Sequence, residues 1–102
     1  MREFVKGMLA RSKAGHDTGK LYVVMDADTE YVYLADGVHR TVDNTKKKKR
    51  KHIQIIYKIP ALLQELMEEG KEVQNEHIKK AIKDYEIMNW RFNLCQRQML
   101  LK

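Results

Sequence analysis

The sequence predicts an α+β protein: a small five-stranded antiparallel barrel or sandwich over residues 1–57, followed by a helical extension over residues 58–102. Three observations predict it. Residues 20–57 are dense in β-branched and aromatic side chains broken by short polar turns. The texture changes to helical spacing at "KIPALLQELMEEG". From Asn75 to Lys102 there is no glycine or proline to interrupt a helix.

Taken in order, residues 4–11, "FVKGMLAR", mix apolar and polar side chains and lead into a polar turn, "SKAGHDTGK", marked by Ser12, Asp17 and two glycines. "LYVVMDADTEYVYLADG" gives strands at about 20–26 and 30–35, broken at the polar "DADT". Asp36-Gly37 then reads as a tight hairpin turn between "YVYLA" and "VHRTV", because both central positions want residues that tolerate positive φ. "DNTKKKKRK" follows as a basic loop without an apolar anchor, and "HIQIIY", residues 52–57, as the last strand.

Pro60 suits the first turn of a short helix over about 61–69. Its apolar face is Leu62, Leu63, Leu66 and Met67, and Gly70 is placed to cap its end. Asn75 is the expected N-cap of a second helix over about 76–101. There Ile78, Ala81, Tyr85, Met88, Phe92, Cys95 and Met99 form one stripe, widened after residue 86 by Ile87, Trp90, Leu94 and Leu101. That surplus of apolar surface suits a helix covering the sheet or pairing with its neighbour, and it also suits a protein partner or self-association.

Charge is uneven. The net charge is +6, and residues 1–57 carry 12 basic against 7 acidic side chains while residues 58–102 carry 8 against 7, so the positive field belongs to the strand-rich part. A basic protein of this size is expected to meet a polyanion. The lone Cys95 has no histidine or cysteine at zinc spacing, and no segment approaches the roughly 20 apolar residues that span a bilayer. The N-terminus lacks the apolar core of a signal peptide, so the expectation is a cytoplasmic protein without a membrane partner. Asp26, Asp28 and Glu30 read as solvated turn residues, and the four histidines assemble with no nucleophile or carboxylate. No enzyme and no cofactor are expected.

The segment "VKGMLARSKAGHDTGKLYVVMDADTEYVYLADG" resembles a KOW motif, the RNA-binding strand–loop–strand unit of several ribosomal proteins and transcription factors. It is similar to small bacterial KOW-containing RNA-binding proteins, themselves similar to archaeal and eukaryotic large-subunit ribosomal proteins of the fourteen-e type. The resemblance covers about residues 3–57. Gly15 takes the place of the loop glycine and Gly19 that of the strand-opening glycine, followed by Lys20. The resemblance implies an SH3-like barrel and RNA contacts through Arg11, Ser12, Lys13, His16, Asp17 and Lys20.

The basic run Lys46, Lys47, Lys48, Lys49, Arg50 and Lys51, pinned between two strands, would share a face with that loop, and Arg40 is a further phosphate candidate. Phosphate contacts of this kind position a protein on RNA without reading its sequence. The expected function is therefore non-enzymatic binding of structured, ribosomal RNA in translation. The alternative is a protein-interaction module that uses the barrel and the apolar C-terminal helix.

Overall fold

The computed structural model describes the backbone of residues 6–100 and the side chains of residues 6–89. Five strands form one antiparallel sheet: β1 (Leu9–Ser12), β2 (Leu21–Ala27), β3 (Tyr31–Ala35), β4 (Lys46–Lys49) and β5 (Ile53–Ile56). Two helices follow, α1 (Ala61–Glu68) and α2 (Asn75–Leu100). Among the described residues no helix is long and apolar enough to cross a membrane.

The strand order is β4-β3-β2-β1-β5, so the sheet is open, with β4 and β5 at its edges and no ladder between them. A closed barrel was the expectation. One turn of 3-10 helix, Arg50–His52, separates the two edge strands. It sends their backbones to different partners, with the Arg50 N–H donating to Glu30 O and the Lys13 N–H to His52 O. The sheet is nonetheless strongly curved, because the Lys48 ammonium of β4 reaches the Ser12 hydroxyl of β1 across two intervening strands, and Val32 and Leu34 of β3 share one buried cluster with Ile53 of β5 on that face. Ala10, Tyr22 and Val24 complete that cluster.

The central strand β2 is covered on both faces. Its alternation sends Tyr22 and Val24 into the concave cluster and Leu21 and Val23 to the opposite face. There they meet Leu9, Ala35, Leu63 of α1, and Ile78 and Ala81 of α2 in a second cluster. The helices therefore share a core with the sheet.

Helix α1 stops at Gly70 (φ +73°). The Gly70 N–H donates to Met67 O and the Lys71 N–H to Leu66 O, the paired bonds of a Schellman turn. Only Leu63 of its apolar face is fully buried. On α2 the stripe buries Ile78 and Ala81, half-buries Tyr85, and then leaves the body, with Met88 58% exposed. The side chains of Trp90, Phe92, Leu94, Cys95 and Met99, and residue Leu101 entirely, lie outside the described part of the molecule.

Three expected local features are corrected. "VHRTV" is not a strand. Asp36 caps its own turn, its Oδ1 accepting the N–H of Val38 (2.9 Å) and Arg40 (2.8 Å), and the Asp36 and Gly37 N–H groups both donate to Arg40 O. Val42 is then drawn to the helices, its N–H donating to Asn75 Oδ1 at 2.8 Å. That bond also corrects the expected N-cap, because it commits the Asn75 side chain to Val42. The start of α2 is closed one residue earlier, where the Gln74 N–H donates to His77 Nδ1 (3.0 Å) and Gln74 O accepts from His77 and Ile78.

The third correction concerns the lysine run. Residues 46–49 are strand β4, paired with β3 in the register Leu34↔Lys46, Val32↔Lys48, Tyr33↔Lys47 and Tyr31↔Lys49, where a loop was expected.

Candidate functional site

Residues directly opposite in an antiparallel pair point to the same face. Lys46 and Lys48, across from Leu34 and Val32, therefore turn to the concave side, and Lys47 and Lys49, across from Tyr33 and Tyr31, turn outward. The run of identical side chains is split into two pairs with different environments.

The inward pair meets a single carboxylate. Asp17 lies in the loop between β1 and β2. Its Oδ1 accepts from Lys48 Nζ (2.7 Å) and Ser12 Oγ (3.0 Å), and its Oδ2 from Lys46 Nζ (2.7 Å) and the Tyr22 hydroxyl (2.7 Å). Lys48 Nζ also donates to Ser12 Oγ and to Ala14 O. The side chains of Lys48 and Asp17 are only 10% and 13% exposed. Burial alone would raise the Asp17 carboxyl, but the bonds from Lys46, Lys48, Tyr22 and Ser12 outweigh it and hold the group far below the usual carboxylate range. Burial, then the bond to Asp17, pushes the Tyr22 phenol up.

This network fixes the loop. Residues 13–20 close on themselves through Gly19 N–H to Ser12 O (2.8 Å), Lys20 N–H to Asp17 O (2.9 Å) and Thr18 Oγ1 to Gly15 O (2.7 Å). Gly15 (φ +87°) and Gly19 (φ +90°) supply the backbone that such a turn requires. Asp17 then fastens the loop to the edge strand β4.

The expected RNA-contacting residues accordingly fall into two groups. Ser12, Asp17, Lys46 and Lys48 are held within the network. Lys20 is paired with the buried Asp36 at 2.6 Å, and Arg11 donates to Gly19 O at 2.7 Å. Lys13, Gly15, His16, Gly19, Lys47, Lys49 and Lys51 are exposed. Among the described residues, Lys13, Lys47, Lys49 and Lys51 make no ion pair. Lys47 instead lies over the Tyr31 ring, 4.2 Å from its centroid. Arg50 is half-buried and donates to Asp28 O (3.1 Å), and the half-buried Arg40 ends the turn that Asp36 caps.

No family model matches the chain, and no curated protein matches it. Loop 13–20 is tied to β4, the Lys13 backbone touches that of His52, and Lys49 runs directly into Arg50 and Lys51. Of the exposed cations, Lys47 and Lys49 lie on the edge strand β4 with Tyr31 and Tyr33 beside them on the outer face, Lys51 lies in the turn that follows, and Lys13 bonds that turn from the end of β1.

Sequence reasoning did not find the Asp17 network. The signal was present, since Lys46 and Lys48 are two apart and share a strand face, and Asp17 is the only acid in its loop.

Proposed function

We propose that this protein is a non-enzymatic RNA-binding protein, associated with ribosomal RNA, that docks on structured RNA through the edge formed by loop 13–20, β4 and the turn at Arg50–His52. The observation that carries this reading is the division of the lysine run. Lys46 and Lys48 anchor the loop, and Lys47 and Lys49, with Lys13 and Lys51, face solvent without acidic partners. Such an arrangement offers fixed cations at a rigid edge, which suits a backbone of phosphates. The KOW resemblance of the β1-loop-β2 segment favours the same ligand. The curvature of the sheet and the short connection between its two edge strands favour an SH3-like barrel as its fold type.

Changing Lys47, Lys49 and Lys51 together to Ser tests it. Three lost phosphate contacts are expected to reduce the slope of log affinity against log salt by about 2.7, at roughly 0.9 per contact. Binding to ribosomal RNA is measured by filter retention between low and physiological salt. An unchanged slope overturns the assignment.

A protein-interaction role is the second reading, and the exposed Ile87 and Met88 on α2 favour it. Met88 lines a groove of about 300 Å³ together with Leu62 and Tyr85. Sedimentation of cell extract separates the two. Cosedimentation with ribosomal particles that ribonuclease abolishes supports RNA docking, and persistence in a protein-only complex supports the second reading.

A further inference from the structure

Loop 13–20 has a second flank. Where Asp17 ties one side of it to β4, Gly19 and Lys20 at its far end form the wall of an open cleft of about 440 Å³. The opposite wall is α2, which presents Lys79 and Lys83 one turn apart, both exposed and neither in an ion pair among the described residues. The volume falls in the range of about 300–1,000 Å³ common for small-ligand sites.

The chemistry of the cleft is divided. Val38, 60% exposed, lines it with Ile82 and Leu21, an apolar share of the wall. An exposed valine at a turn tip has no role in the core, and here it borders a cavity. The acid at the base of the cleft, Asp36, is already satisfied by Lys20 and by two backbone N–H groups, so it does not repel an anion as a bare carboxylate would. Glu86 also lines the cleft, and His39 adds an exposed imidazole beside Val38. The result, among the described residues, is an apolar strip with two unpaired ammonium groups on one side and the single unpaired carboxylate of Glu86 about one turn beyond Lys83.

We infer that this cleft takes one unpaired nucleotide of the bound RNA, its base laid against Val38 and Ile82 and its phosphate held by Lys79 and Lys83. This rests on the RNA-binding reading and extends it, because the cleft continues from the docking loop. Phosphate contacts along β4 set the position of the RNA, and a splayed base beside the loop gives the protein a preference for RNA with a bulge or single-stranded end over a continuous duplex.

The test titrates the full chain with uridine 5′-monophosphate, adenosine 5′-monophosphate and inorganic phosphate, following backbone amide resonances. Saturable shifts at Gly19, Val38 and His39 are expected with either nucleotide, and weaker binding with phosphate alone. Lys79→Gln/Lys83→Gln, which keeps the aliphatic stems, is expected to weaken nucleotide binding about tenfold, as loss of charge-assisted contacts should. With a short single-stranded RNA the same variant is expected to lower the salt slope by about 1.4, two contacts at roughly 0.7 each.

Equal shifts with phosphate and nucleotide overturn the base-binding half of the inference. An unmoved cleft, in a protein whose binding to ribosomal RNA still depends on Lys47, Lys49 and Lys51, overturns the whole inference and leaves the RNA reading standing. Cleft shifts with nucleotide in a protein that ignores those three lysines overturn the docking edge and keep the cleft. Displacement of the nucleotide by an acidic peptide with higher affinity assigns the cleft to a protein partner and overturns the inference.

Discussion

Asp17→Asn is expected to cost about 3 kcal/mol of folding stability at neutral pH, near the lower end of what breaking a buried charge pair costs. The substitution keeps the size of the side chain. It leaves Lys48, only 10% exposed, without its anionic partner, and Lys46, 28% exposed, with more help from water. That difference in solvent access is why the loss is placed at the low end. Urea denaturation measures it, and for a slope of roughly 1–3 kcal/mol per molar the midpoint falls by about 1–3 M.

The same carboxylate sets a pH dependence. Its folded pKa lies below the unfolded value of about 4, so its stabilisation is complete above that pH and is lost as the pH falls below it. Burial would raise the Asp36 carboxyl, but the bonds from Lys20 and the Arg40 and Val38 N–H groups outweigh it and hold the group at about 2, which adds to the same acid limb in both proteins. The gap between wild type and Asp17→Asn is therefore expected to be widest at neutral pH and to narrow below about pH 4. A second change, Lys48→Met, removes the stranded charge and should recover part of the loss, which a double-mutant cycle reads as coupling. A variant with the wild-type midpoint at pH 7 would show that Asp17 is not the node of the loop.

The two halves of the lysine strand also bear on solubility. An edge strand presents unpaired backbone groups to other chains, and lysine is a common guard against such pairing. Lys47 and Lys49 stand exposed on such an edge strand, and their charge suits that role. The edge therefore separates two demands: the inward lysines hold the loop, and the outward ones remain available to solvent or phosphate.

Much of the fold was legible because burial leaves a pattern in apolar residues. β2 and β3 came within a residue or two of their observed spans, and Pro60 and Gly70 bracketed α1. The lysine strand was illegible for the converse reason. Period-2 alternation is recognised when apolar and polar residues alternate, and four lysines in a row have no such contrast. Their alternation exists only in their partners, Val32 and Leu34 on one side, Tyr31 and Tyr33 on the other.

"VHRTV" misled in the opposite direction. Its two valines look like strand residues, yet Val38 lines an open cleft and Val42 packs towards the helices. Asn75 likewise has the composition of a cap, and its side chain was taken by the long-range bond to Val42. Of the candidate site, the basic character and the loop were legible. Which lysines are committed to Asp17 depended on a contact 29 and 31 residues distant in sequence.

Gly37→Ala is expected to be the more damaging of two glycine substitutions that share the same backbone strain. Gly37 has φ +82°, and a Cβ there would lie 2.5 Å from Asn75 O, 2.7 Å from Lys79 Cγ and 3.2 Å from Lys79 N. The first turn of α2 thus rests on bare backbone. Gly19 has φ +90° with nothing within 4 Å of the same position. Gly19→Ala should cost only the strain of a left-handed non-glycine residue, about 1–2 kcal/mol. Gly37→Ala adds an overpacking cost of about 1–3 kcal/mol, because Asn75 O belongs to the helix backbone and cannot turn aside as a side chain would. Relief requires α2 to lift away from the 36–40 turn, which strains the bond from the Val42 N–H to Asn75 Oδ1. Faster hydrogen exchange at Val42 in Gly37→Ala, but not in Gly19→Ala, is the expected signature. Equal loss of stability in the two variants would mean that α2 does not sit on the turn, and the cleft wall formed by Lys79 and Lys83 would lose its support.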